Sequence, residues 1–459
     1  MNFTFLNKSH TFSLRIDWNF SEYGKLWTYN LCYFDFLHQT SISQEEGITL
    51  IHNFIDQAAL HKDALEPFPI SLRGINWIKF LSLHHISDPI IDDSLFSQYH
   101  ILLDNLEYHL LGNHLLENGF SLLFGAYYYQ NESFYSAAKT ILLSELEEQI
   151  LSDGAHFELS PMYHQIMLFR VLDCINLVKN NPWKTHELLL PLEKKASLML
   201  GWLTTITYKD GSIPLLNDSA KGIAPTSANL FEYARLLEIS PLIQPLTKSG
   251  YRKIVTENYE CVLDVGNIGP DYIPGHAHSD TFNFELHIMG KPFIVDTGIS
   301  TYESNQLRQI ERSTASHNTV MIDNKEQSDV WGGFRVADRA KIIHLSESQS
   351  TIEATHDGYL KIGALHTRRF SFDSKHIKIE DTVQSKNSYP SVAYLHCHPD
   401  TIVNINDNTI LINDVTVTCQ NHSSLALNTY NYAPEFNTLI PATVIECTFQ
   451  KTLSMEITL

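Results

Sequence analysis

Residues 274–298 read PGHAHSDTFNFELHIMGKPFIVDTG. From Thr281 onward the apolar positions fall on every second residue, so Phe282, Phe284, Leu286 and Ile288 share one face of an extended strand. Met289-Gly290-Lys291 turns the chain and PFIVD returns it, which predicts an antiparallel hairpin. The glycine-containing turn upstream holds His276 and His278, and Asp296 ends the return strand. Imidazoles and a carboxylate therefore gather at the mouth of a β-structure.

Downstream of this hairpin the period of two persists. HNTVMID, RRFSFD, HIKIEDTV, VAYLHCH, TIVNI, NTILI, DVTVTCQ and TVIECTFQ are short runs separated by Asn, Asp and Gly turns, the signature of an antiparallel sandwich. Upstream the spacing lengthens to three and four residues, as in EEGITLIHNFIDQAALHK (45–62), SQYHILLDNLEYHLLGNHLL (97–116), FSLLFGAYYYQNESFYSAAKTILLSELEEQIL (120–151) and MLFRVLDCINLVKN (167–180). Polar breaks such as QNES, SDGAH and NNPWKTH separate these amphipathic helices into successive hairpins. The reading is an α-helical domain over 1–247 and an all-β domain over 248–459, joined near PLTKSGYRK. A chain of 459 residues exceeds what one core usually supports, which agrees with two domains.

The net charge of −20 disfavours a broad nucleic-acid or anionic-membrane surface, so a polyanionic ligand needs a local cationic patch. No run reaches the roughly eighteen apolar residues that a spanning helix needs. The start, MNFTFLNKSHTFSLRIDWNF, lacks a basic segment leading into an apolar one, so the cytoplasm is the expected compartment, or the periplasm if this is not the native start. Six cysteines without a C-x-x-C pair read as buried thiols. There is no G-x-S-x-G, P-loop, strand-borne G-x-G-x-x-G or H-E-x-x-H.

Four constellations carry chemistry. In GNHLLENG, Asn113, His114 and Glu117 share a sector of a helix surface, either facing a cleft or forming a hydrogen-bonded terminus with a stop at Gly119. In DGAHFELSPMYHQ, Ser160 and Pro161 open a helix as N-cap and first residue, placing Tyr163 in its first turn beside His156, Glu158 and His164. His276, His278, Asp296 and His317 include a common zinc ligand set, and among 23 histidines they also suit ordinary polar pairing. Arg308, Arg312, Arg335, Arg339, Arg368 and Arg369 offer forks for carboxylate or sulfate.

In order, LWTYNLCYFDFL, GNHLLENG, DGAHFELSPMYHQ, GHAHSDTFNFELHIMGKPFIVDTGISTY and RSTASHNTVMID resemble the heparinase II/III-like polysaccharide lyases, over about residues 25–340. The resemblance implies an α+β multidomain fold: an N-terminal (α/α) toroid, then a C-terminal antiparallel β-sandwich, with the site in the cleft. It implies β-elimination at a uronic acid of an anionic polysaccharide such as a glycosaminoglycan. Position by position, it assigns catalysis to Asn113, His114, Tyr163 and His276. It assigns one structural zinc to His278, Asp296 and His317, and a second active-site tyrosine to Tyr302. Glu117, His164, Arg312 and Arg335 join Tyr302 as expected substrate contacts.

The chemistry explains these residue types. Removing a C5 proton beside a carboxylate generates an enolate-like dianion, so the carboxylate needs neutralising, and preorganised donors such as Asn113 and His114 are worth about 3 to 4 kcal/mol each. Tyr163 would protonate the leaving oxygen, and could also act as base if cationic neighbours lower its pKa from about 10. Otherwise His276 or His114 is the base. Two rival readings are a hydrolase using Glu117 and Glu158 and a catalytically silent or editing glycan-binding protein of a polysaccharide biosynthesis system.

Overall fold

The computed structural model describes residues 1–184 and 187–459. Thr185 and His186, the end of the NNPWKTH break, lie outside the described residues. The chain divides into two compact units, each assembled from three segments. The first comprises Met1–Ile150, Met167–Ser197 and Glu232–Ser240, and the second Leu151–Ile166, Leu198–Phe231 and Pro241–Leu459.

The first unit is helical apart from a hairpin that pairs Asn2–Phe5 with Lys8–Thr11. Its helices begin where a side chain replaces the missing amide partners. Ser43 and Glu46 form a capping box ahead of Gln44–Ile55, Asp88 accepts from the first amides of Pro89–Asp104, and Asn131 does the same for Glu132–Gln149. Pro67–Leu83 is buried on nearly every side and packs against Gly112–Tyr129, which packs against Glu132–Gln149. Gly119 does not stop its helix, which continues to Tyr129 and ends at a left-handed Gln130. A Cβ at Gly119 would lie 2.7 Å from Ile141 Cγ2 on the neighbouring helix, so the glycine is there for close approach.

The second unit holds the antiparallel sheets. Tyr251–Val255, Tyr259–Asp264, Phe284–Ile288 and Lys291–Ile294 form one four-stranded sheet, and Ser424–Tyr432, Ile440–Phe449, Ser391–His396 and Val320–Ile322 form another. An eight-stranded sheet includes Ala364–Phe372, His376–Ser385 and Thr452–Thr458 among its inner strands. All three contribute to one apolar core, in which Phe284 and Leu286 meet Ile322, Leu395, Phe370, Ile379 and Met455.

The hairpin of 281–296 forms as its spacing predicts. Met289 and Gly290 both have positive φ, the turn pattern that matches strand twist. Its second face is not solvated, however. Glu285 accepts from the Leu215 amide at 3.1 Å and the Asp296 amide at 3.2 Å, and the His287 ring stacks on Tyr208 at 3.7 Å. Burial, reinforced by the Asp296 charge, pushes the Glu285 carboxyl up to about 7. Polar alternation here marks an internal hydrogen-bonded layer, one that holds the backbone of Asp296 in place.

Among the described residues no helix is long and apolar enough to cross a membrane. All six cysteines are buried free thiols.

Candidate active site

The second unit gathers its chemistry around Asp218, in the loop LLNDSAKG between two helices. This carboxylate is fully buried and receives four donors. Arg308 Nη1 lies 2.5 Å from Oδ1 and Nη2 2.7 Å from Oδ2, a bidentate fork, while His278 Nε2 reaches Oδ1 at 2.9 Å and His276 Nδ1 reaches Oδ2 at 2.8 Å. Burial alone would raise its pKa, but the Arg308 charge and the histidine bonds prevail and hold the carboxyl well below its usual range. An ionised Asp218 requires His276 to carry a proton on Nδ1. The other ring nitrogen of His276, Nε2, faces Glu158 Oε2 at 3.8 Å.

Ser160 brings Tyr163 to the same place. Its hydroxyl accepts from the Tyr163 amide at 3.2 Å, as an N-cap does, and donates to the Asp218 carbonyl at 2.6 Å, so one side chain both starts the helix and ties it to the Asp218 loop. The Tyr163 ring lies against the His276 ring with centroids 4.0 Å apart, and the Tyr302 hydroxyl approaches that of Tyr163 at 3.4 Å. The Arg308 guanidinium sits 5.0 Å from the Tyr302 ring centre. Burial raises the Tyr163 phenol above its ordinary value. Tyr302 and Arg308 oppose the rise, and Asp218 and Glu158 add to it. Tyr163 is therefore neutral at rest, because burial and the nearby carboxylates outweigh its cationic surroundings.

The zinc ligand set divides differently from the sequence expectation. His317 Nδ1 bonds Asp296 Oδ2 at 2.8 Å, whereas His278 turns to Asp218. Among the described residues no three His, Cys, Asp or Glu groups already converge as a metal site. The donors nevertheless suit one. His278 Nδ1 and His317 Nε2 are buried without a hydrogen-bond partner, the two rings are 5.2 Å apart, and the opposite nitrogen of each is held by a carboxylate. That is the arrangement in which a carboxylate orients a histidine toward a metal.

Other expected contacts have internal work. His164 is buried with Nε2 at 3.0 Å from the Met199 carbonyl, its pKa pushed down to about 3 by burial. Arg312 is fully buried and donates to the Ala277 carbonyl at 2.9 Å and the Gly333 carbonyl at 3.2 Å, clamping the loop that bears His276. Arg335 is exposed.

In the first unit, Asn113 is buried in the first turn of Gly112–Tyr129. His114 Nδ1 lies 3.0 Å from Glu107 Oε1, and Asn118 donates to the other oxygen of Glu107 at 2.8 Å. Glu117 is closed into an ion pair with Arg170, whose Nε is 3.1 and 3.0 Å from its two oxygens. Sequence reasoning passed over Asp218, Glu107 and Asn118. The only local signal for Asp218 was a polar Asn-Asp pair after an apolar run.

A family model described as heparinase II/III N-terminus matches residues 91–242, and one described as heparinase II/III-like, C-terminal, matches 239–458. The heparin-sulfate lyase of Pedobacter heparinus is 25% identical over 268 residues, 50% of this chain and 39% of that protein. That of Bacteroides thetaiotaomicron is 24% identical over 233 residues, 42% of this chain and 33% of that protein. The chain thus matches about two fifths or less of the length of these relatives. The crystal structure of heparinase III superposes with a TM-score of 0.75 at 15% identity, covering 97% of this chain and 79% of that one. A chondroitin AC lyase of Streptomyces coelicolor superposes at 0.57 with 6% identity, covering 95% and 74%. Both structures share the fold.

Proposed function

Because the chain belongs to the heparinase II/III-like family, we propose that it is a polysaccharide lyase that cleaves a uronic-acid-containing glycan, of glycosaminoglycan type, by β-elimination. The observation that carries this reading is the Tyr163–His276 pair, its ring centroids 4.0 Å apart, with the Asp218–Arg308 fork behind the histidine. A neutral phenol beside an imidazole whose tautomer is set from behind supplies an acid and a base within reach of one sugar. His276 Nε2 takes the C5 proton, the electrons form the C4–C5 double bond, the C4–O bond breaks, and Tyr163 gives its proton to the departing oxygen. Asn113 and His114 are assigned to the substrate carboxylate, whose charge must be offset before C5 becomes acidic. The hydrolase alternative loses support because Glu117 is committed to Arg170.

Zinc belongs to the same proposal, with His278 and His317 as nitrogen donors and Asp296 beside them. When bound, it supplies a rigid cross-link under the loop that presents His276.

The test is a panel of uronate glycans read by the ultraviolet absorbance of the unsaturated product. Turnover by the parent chain and at least a hundredfold loss of kcat in Tyr163→Phe are expected, in line with about 10² to 10⁴ for a general acid. Full activity in Tyr163→Phe would remove the assigned acid. Reducing ends that appear without the absorbance change would point to hydrolysis, and tight binding without turnover across the panel would point to a glycan-binding protein.

A further inference from the structure

The strands Asp329–Trp331 and Arg335–Ala337 form a two-stranded hairpin whose tip, WGGF, meets His276 and Tyr302 through the ring of Phe334. Its two faces differ. Val330, which is buried, pairs with Val336, which packs on a small cluster of Ile268, Ala277 and Ala340. Trp331 pairs with Arg335, and directly opposed residues share a face, so the indole and the guanidinium lie together on the outward side. Trp331 is 48% exposed, and Phe334 at the tip 43%. Among the described residues Arg335 makes no ion pair and Trp331 no ring contact.

A lone exposed aromatic is ordinary. This one is mounted rigidly. The Gly333 carbonyl at the tip accepts from buried Arg308 at 3.1 Å and buried Arg312 at 3.2 Å, Gln309 donates to the Val330 carbonyl at 2.6 Å, and Lys361 holds Asp329 at 2.9 Å. Phe334 continues the aromatic surface inward, with its ring 5.9 Å from His276 and 5.2 Å from Tyr302. The same arginine that neutralises Asp218 thus fixes the height of the tip.

We propose that Trp331 and Arg335 form a saccharide subsite that holds one uronate or sulfated residue of the chain next to the one being cleaved, with Phe334 as the step between. The C–H face of a pyranose packs on an indole, and the guanidinium fork matches a carboxylate or sulfate on the same ring. The subsite rests on the lyase reading and adds to it a rule of length: a substrate must extend past the scissile bond to engage the hairpin.

Acrylamide quenching of tryptophan fluorescence tests this directly, because Trp331 is the most exposed of the six tryptophans: Trp18, Trp27, Trp77 and Trp202 are at most 1% exposed and Trp183 is only partly so. Size-defined heparan-derived oligosaccharides are added to the slow Tyr163→Phe variant. The expected result is protection of Trp331, with binding about tenfold weaker on further replacement by Trp331→Ala or Arg335→Ala. In the otherwise native chain the same replacements raise KM about tenfold for long oligosaccharides and change kcat by less than about threefold, while Trp331→Phe and Arg335→Lys lose less. Binding that leaves Trp331 as quenchable as before, and that neither replacement weakens, overturns the subsite and leaves the lyase intact. Failure of every oligosaccharide to bind, together with no turnover by the parent chain, overturns both.

Discussion

Asp218 shows how one residue can serve two histidines at once. The carboxylate orients His276 through Oδ2 and His278 through Oδ1, and the Arg308 fork cancels its charge. Glu311 illustrates the opposite situation. It is buried near Arg308, accepts from the Ser300 amide and hydroxyl through one oxygen, and leaves the other without a partner, so burial pushes its carboxyl up to about 7. A folded-state pKa above the unfolded one means that its contribution is greatest in acid and is lost as pH rises from about 4.3 through about 7. Glu311→Gln keeps an acceptor for Ser300 and removes the charge. It is expected to stabilise the chain by up to about 3 kcal/mol at pH 8 and by little at pH 4, checked by denaturant unfolding at both values. The Tyr163–His276 pair joins residues legible in sequence order. Asp218 and Arg308 act through partners distant in the chain, and no local pattern announces such partners.

At the scale of elements, the hairpin of 281–296 was readable because period two, a glycine turn and apolar burial all agree. What spacing could not convey is that Glu285 and His287 face a second buried layer, since a polar residue looks the same in sequence whether water or Tyr208 covers it. Gly119 was ambiguous for a similar reason: a glycine that lets Ile141 approach and one that ends a helix are the same letter. The proposed zinc belongs at this scale because it would join the turn before the hairpin to the segment that carries His317. Elemental analysis of purified protein is expected to find about one zinc per chain, and chelation to lower Tm by about 1 to 2 degrees, as the loss of about 1 to 2 kcal/mol does in a chain of this size. Zinc-free protein with an unchanged Tm after chelation would return His278 and His317 to ordinary polar pairing.

At the scale of the whole molecule, the helix-rich and strand-rich parts were legible from the change of period near residue 250. The interleaving of the compact units was not. The second unit takes Leu151–Ile166, with Tyr163, and Leu198–Phe231, with Asp218, from among the helices. A fragment beginning at residue 241 would therefore keep Arg308 and lose its carboxylate, and an uncompensated buried charge costs about 3 to 5 kcal/mol. Such a fragment is expected to be insoluble or to lack a cooperative thermal transition, and a sharp melt by circular dichroism would refute this. The fork also sets a timing. Asp218 leaves the ribosome 90 residues ahead of Arg308, roughly 5 to 20 s at ordinary rates of synthesis. Until the guanidinium arrives the buried carboxylate lacks its counter-charge, so the centre closes only after the first strands of the second unit have been made.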